Sequence, residues 1–196
     1  NNALYILMAL FVIYTASVRP NFLTLGSFAN LITQVAAYLP MALGIAGCIV
    51  LTGTDLSAGR VSGLTAAMAA VMLQAADFEN KMFQNLPEVT AGWIFVVLLA
   101  VVLVGAFVGL VNGYFVAKFS LHPFIVTLST QLITYGVILW FFGLNGNNGQ
   151  PFSGLSKPYK EFVGGELFRL GNVAVPRYVL YAVILVAVMW FIWNKT

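Results

Sequence analysis

Thr52-Gly53-Thr54-Asp55-Leu56-Ser57-Ala58-Gly59-Arg60 lies between two long apolar runs and carries an acid and a base in a chain that otherwise has few charges. Gly53 and Gly59 punctuate the helical pattern, and Thr54 or Asp55 can cap a new helix by accepting hydrogen bonds from its free N–H groups. The stretch therefore predicts a broken helix around residues 52–57, one helix ending near Leu51 and the next starting near Leu56. Charges beside a membrane are costly, so Asp55 and Arg60 are expected to pair or to function.

The composition fixes the setting. Of 196 residues, 61% are hydrophobic and 8% charged, far from the usage of soluble domains. Apolar runs recur near the length needed to cross a hydrocarbon core, which predicts an all-α, polytopic transmembrane bundle of about six spans and not an alternating β-barrel. A net charge of +3 is an ordinary excess for membrane-protein loops and implies no nucleic-acid partner. Cys48 stands alone, which leaves no internal disulfide, and its expected role is packing. Asn1-Asn2-Ala3 shows neither an initiator Met nor a basic leader, so the start reads as trimmed.

Along the chain, Ala3 to Val18 is a slightly short first span stopped by Arg19-Pro20-Asn21. Phe22 to Gln34 mixes apolar and polar residues at helical spacing, as an interfacial helix would. Ala36 to Leu51 is the second span, with Pro40 tolerable where it faces protein. In the third, Ser57 to Ala76, the small residues Ala58, Ser62, Ala66 and Ala70 form one stripe. The fourth, Trp93 to Val116, carries Gly105, Gly109 and Gly113 as GxxxGxxxG, read as a close contact with another helix such as that stripe. His122-Pro123 opens the fifth span, Phe124 to Gly143, since Pro suits a first helical turn.

On that fifth span Thr127, Thr130, Gln131 and Thr134 share a face. A polar row inside a bilayer needs partners: spacing alone favours hydrogen bonds between packed helices, with a wetted solute path as the sharper alternative. Leu144 to Pro176 is a long hydrophilic connection outside the hydrocarbon, with Glu166–Leu170, Gly171-Asn172 and Val173–Val175 reading as a short hairpin. Arg177 to Trp193 is the last span. No repeat, phosphate loop, metal-ligand cluster or nucleophile–base pair stands out, so neither metal nor cofactor is expected. Lone His122 reads as a helix-start or interfacial residue. Counting Lys and Arg sets Arg60, Lys118 and Lys195 against Arg19, Lys81, Lys157, Lys160 and Arg169, with Arg177 at the edge, which would put the long loop in the cytoplasm.

The run from Gly44 to Arg60 closely resembles permease subunits of bacterial ATP-binding-cassette (ABC) sugar importers of the ribose, xylose and galactose group. Val108-Gly109-Leu110-Val111-Asn112-Gly113, His122-Pro123-Phe124-Ile125-Val126-Thr127-Leu128 and Trp193-Asn194-Lys195-Thr196 resemble further signatures of that family. Thr54, Ala58 and Arg60 are similar to the galactose/methyl-galactoside branch, while Ser129 stands where the family usually has Gly. The resemblance ends just before the family's ATPase-docking loop, so residues 1–196 read as a single permease domain, the N-terminal portion of a longer one.

That resemblance implies a non-enzymatic transport subunit of the bacterial inner membrane. Its partners would be an ABC ATPase, a periplasmic sugar-binding protein, a second permease copy and the lipid bilayer. Orientation reverses relative to the charge count, with Thr196 inside and residues 77–92 and 144–176 outside. Asn112, Thr127, Thr130, Gln131 and Thr134 are then the expected sugar path, with Tyr114 and Tyr135 as stacking or gating rings. Asp55, Arg60 and Ser57 would latch the break, by an ion pair or by cap hydrogen bonds. Ribose or xylose is the alternative cargo. A secondary transporter is the rival class, and it would want an inverted repeat and a deep ionisable residue.

Overall fold

The computed structural model describes residues 3–170 and 173–195. The expected Gly171-Asn172 turn, Asn1, Asn2 and Thr196 lie outside them. The elements are α1 (Ala3–Val18), α2 (Leu25–Val50), α3 (Ala58–Met72), α4 (Ala91–Phe119) and α5 (Pro123–Phe142). They are followed by a 3-10 turn (Leu144–Gly146), α6 (Lys157–Gly164), β1 (Glu166–Leu170), β2 (Val173–Pro176) and α7 (Tyr178–Lys195). Four of these helices, α2, α4, α5 and α7, are long and apolar enough to cross a membrane, and α1 and α3 are shorter apolar helices. At 1.5 Å per residue α4 rises about 43 Å and α3 only about 22 Å, short of a hydrocarbon core of about 30 Å.

Two compact units emerge. The first comprises residues 1–40 and 165–196. Its core is Ala29, Ala36, Val175, Val179 and Ala182, with Tyr178 donating its hydroxyl to the Thr33 carbonyl at 3.1 Å. β1 and β2 pair antiparallel, as the hairpin reading expects, with an irregularity between Glu166 and Phe168. Glu166 and Arg169 form an exposed ion pair of 2.8 Å, and the bonded carboxylate raises the Arg169 guanidinium pKa above its ordinary value.

The second unit, residues 41–164, packs α3, α4 and α5 against one another. Its apolar core, Leu73, Val89, Ile94 and Val97, is joined by Leu155, Tyr159 and Phe162. The last two lie three apart on α6, a helix that the hydrophilic reading of this segment passed over. Burial raises the Tyr159 phenol pKa. The connections before α4 and after α5 bind each other directly: Ala75 N–H donates to Gly154 O at 2.7 Å, and Ser156 N–H to Leu73 O at 2.9 Å. They therefore form one cap at one end of α3, and the helix break lies at the other end.

The sequence reading needs three corrections. Phe22–Gln34 and Ala36–Leu51 do not make an interfacial helix and a span; Leu25–Val50 is one helix that runs through Pro40. Thr24 starts it by accepting the Ser27 N–H, and the Thr33 hydroxyl turns back to the Ala29 carbonyl at 2.7 Å, so this polar residue needs no interface. The third span stops at Met72, because Leu73 and Gln74 leave the helix to bind the cap. The small-residue stripes do not pack α3 against α4. Leu64, Ala67 and Val71 are the buried face of α3, while Ser62 and Ala66 are exposed. A Cβ at Gly105, Gly109 or Gly113 would meet nothing within 4 Å among the described residues. The exposed Ser62 and Ala66 and the three glycines therefore lie outside the contact, while Ala58 and Ala70 are half-buried.

The end of α2 follows from its hydrogen bonds. Thr52 N–H donates to Ile49 O and Gly53 N–H to Cys48 O, both at 2.9 Å, the paired bonds of a Schellman ending. The position that must turn left-handed is Thr52, with φ 58°, and not the adjacent glycine. A Cβ on Gly53 would come within 3.3 Å of Cys48 O, a tight contact that glycine avoids. A β-branched residue at positive φ is strained by about 1–2 kcal/mol. Thr52→Gly is therefore expected to stabilise the protein by about 1 kcal/mol in reversible detergent unfolding; an equal loss would contradict the strained turn.

Candidate functional site: a hydrogen-bonded latch at the helix break

Between α2 and α3 the backbone is non-helical, so its polar groups need partners from elsewhere in the protein. The Asp55 carboxylate supplies the first. Its Oδ1 accepts the Ser57 N–H at 2.8 Å and the Ser57 hydroxyl at 2.7 Å, which sets up the start of α3 at Ala58. Ser57 is 1% exposed. With its proton directed at Asp55, the Ser57 oxygen is free to accept, and Asn112 Nδ2 of α4 donates to it at 3.1 Å. The other end of the same amide, Asn112 Oδ1, accepts the Thr130 hydroxyl of α5 at 2.6 Å.

The donors thus run in one direction, Thr130 to Asn112 to Ser57 to Asp55, and tie three segments together. An amide is the side chain that donates at one end and accepts at the other, which is what this position asks of Asn112. A second tie runs beside it. The Thr127 hydroxyl donates to the Thr54 carbonyl at 3.2 Å and to Pro123 O at 2.9 Å. The N-terminus of α5 is itself set by His122, whose Nδ1 accepts the Phe124 N–H at 3.3 Å, followed by Pro123 in the first turn. His122 is a helix-start residue.

Asp55 and Arg60 do not pair. An ion pair elsewhere in the chain joins Arg169 and Glu166. Asp55 is turned toward the backbone and hydroxyl of Ser57, whereas Arg60 reaches α5, its guanidinium carbon 4.5 Å from the centre of the Tyr135 ring. Neither latch geometry expected from the sequence forms as such: Asp55 and Arg60 make no ion pair, and α3 starts without a side-chain cap bond on its first-turn N–H groups, so neither Thr54 nor Asp55 caps it. The break is held instead by the Asp55 bonds to Ser57, the N-cap residue, and by a cation–π contact worth about 0.5–2 kcal/mol depending on solvent.

The polar row of α5 divides. Thr127 and Thr134 are buried among helices, and Thr130 is half-buried and bonded to Asn112. Gln131 is half-buried, and its amide has no hydrogen-bond partner among the described residues. Tyr114 takes no part in the latch. It is exposed, with its ring edge-on to Phe115 at 5.8 Å and to Phe119 at 6.0 Å. The described residues contain no group of His, Cys, Asp and Glu able to hold a metal ion. The latch bonds hold the break, α4 and α5 in fixed positions.

Sequence reasoning named every member of this chain but not its order. The signal for the hub was Asn112, the one carboxamide in the apolar α4 helix of 29 residues. Removing one of two bonded partners leaves the other unsatisfied, so the pair should couple. A double-mutant cycle of Asn112→Leu and Thr130→Val in reversible detergent unfolding is expected to give a coupling of about 0.5–1.5 kcal/mol. Additive effects would contradict the Thr130–Asn112 link.

Known proteins resemble this chain along most of its length. Residues 27–196 match the family described as branched-chain amino acid transport system / permease component. The galactose/methyl galactoside import permease of Haemophilus influenzae is 38% identical over 195 residues, covering 100% of this chain and 56% of that protein. The protein of the same name from Escherichia coli is 41% identical over 177 residues, covering 90% and 51%. The ribose import permease of Escherichia coli is 29% identical over 195 residues, covering 99% and 53%. The chain thus spans about half the length of these curated relatives. No solved structure matches it. With its apolar helices and the family match over residues 27–196, the chain is a multi-pass helical membrane protein that belongs to the branched-chain amino acid transport system / permease component family.

Proposed function

We propose that the chain forms a single permease domain of an ABC importer in the bacterial inner membrane, passing galactose or a methyl galactoside from a periplasmic binding protein to the cytoplasm. ATP hydrolysis would reside in a separate ATPase subunit, and a second permease copy would complete the pore. The observation that carries this reading is the graded similarity: 38% and 41% identity to two galactose/methyl galactoside permeases, against 29% to a ribose permease. The cap formed by residues 73–90 and 144–156 would face the periplasm and the helix break the cytoplasm.

The chemistry of the interior fits a neutral solute. A sugar is uncharged and dense in hydroxyls, so its route should offer hydrogen-bonding groups without strong ionic attraction, since the solute must also leave. The interior polar groups of α4 and α5 are amides and hydroxyls: Asn112, Thr127, Thr130, Gln131 and Thr134. Four of them serve packing or the latch. Gln131 keeps an unengaged amide and is the residue we assign to the sugar route. Arg60 on Tyr135 is an exposed contact one helical turn from Gln131, placed to open as the route opens.

Two outcomes test this. In proteoliposomes holding the complete transporter, methyl galactoside uptake should require the ATPase subunit and should be blocked by excess galactose more than by excess ribose; the reverse preference would overturn the substrate assignment. Gln131→Leu should slow that uptake several-fold while insertion and thermal stability stay unchanged. Normal uptake would remove Gln131 from the route.

A further inference from the structure

The cap of the second unit borders a partly open cavity of about 470 Å³, walled by Gln74 and residues 78–82 on one side and by residues 145–148 and 150–153 on the other. That volume falls within the range of about 300–1,000 Å³ typical of small-molecule sites. Its frame is held by amides bonded to backbone. Buried Gln74 donates through Nε2 to Ser153 O and accepts the Met82 N–H at Oε1, both at 2.9 Å. Asn145 Nδ2 donates to Met82 O at 2.8 Å. Phe152 anchors the far wall against Phe142, with centroids 4.5 Å apart. Phe78 lies flat against Gly154, where a Cβ would collide with its ring, and Gly154 has φ +75°. Glycine there makes room for the aromatic wall.

Other groups in the lining have no internal task. The side chains of Glu79, Asn80, Asn148 and Gln150 have no hydrogen-bond partner among the described residues. The cavity is thus lined by three exposed carboxamides and an exposed carboxylate without internal partners, and by the Phe78 ring, whose one face is taken by Gly154. Lys81 is buried beside them with its ammonium donating to Leu86 O at 3.1 Å. One acid and one base cancel in formal charge, so the site has no net attraction for a cation or an anion. A dense set of donors and acceptors beside an aromatic ring suits a neutral, hydroxyl-rich ring, in which hydroxyls take the amides and the carboxylate while the C–H face lies on Phe78.

We propose that this cavity is a sugar-binding site, taking a neutral pyranose at the end of the α3–α5 bundle opposite the latch. The assignment deepens the transport reading and rests on it for the choice of sugar. Occupancy there would hold the solute at the mouth of the protein before it enters the interior.

Saturation-transfer NMR with methyl β-galactoside tests this on the complete wild-type transporter in nanodiscs, without binding protein. Asn148→Ala combined with Gln150→Ala should weaken binding about tenfold, as expected for two lost hydrogen bonds. Asn80→Trp, which leaves the Gln74 and Asn145 bonds in place and fills the space, should abolish it. Full binding in both variants would overturn the site, as would no signal from a wild-type transporter that takes up the sugar. A wild type that binds the sugar through these residues yet transports none would leave the site standing and overturn the transport reading.

Discussion

The Ser57 hydroxyl, directed at Asp55 and accepting from Asn112, is the interaction on which the helix break at one end of this bundle depends. A helix that stops beside hydrocarbon exposes carbonyls at one end and N–H groups at the next start, and each left without a partner costs several kcal/mol. The chain meets this constraint locally at Thr52 and Gly53, which close α2 with their own bonds, and remotely through Asn112, Thr127 and Thr130. The break is therefore stable only when α3, α4 and α5 are together. Asp55 contributes here as an acceptor for the backbone and hydroxyl of Ser57 and not as half of an ion pair.

This has a consequence for motion. Hydrogen bonds between neutral side chains exchange partners at low cost, whereas a buried ion pair resists separation because each charge must be solvated again. In the latch the links from Thr130 to Asn112 to Ser57 are of this neutral kind, while the Asp55 carboxylate anchors the end of the chain. At the opposite end the cap is built differently. Its amides bind backbone groups far away in sequence, as Gln74 does with Ser153, and so hold a shape instead of switching one. Hydrogen bonds thus tie both ends of α3, between side chains at the break and from side chains to backbone at the cap.

Much of the helical layout was legible because it rests on local rules. Apolar run length located α1, α4, α5 and α7, and the Gly53–Asp55–Gly59 spacing located the break. The continuity of α2 was not, since Thr33 and Pro40 look disruptive until the first is seen bonding to its own helix. Side-chain direction was equally hidden. Arg60 and Asp55 are neighbours in sequence, yet one points to Tyr135 and the other to Ser57. Small residues at four-residue spacing suggested a helix contact, but burial selected Leu64, Ala67 and Val71 instead. The cap could not be read at all, because bonds such as Gln74 to Ser153 span 79 residues and leave no periodicity.

Hydrogen–deuterium exchange at the break tests the central claim most directly, comparing the wild-type transporter with Ser57→Ala. Removing one hydroxyl takes away the Asn112 acceptor and one of the two Asp55 bonds. Amide exchange should therefore quicken across residues 54–61 and around Asn112 in α4, while the cap, with its separate bonds, stays protected. Unchanged protection at both places would contradict a helix break held by the Ser57 hydroxyl.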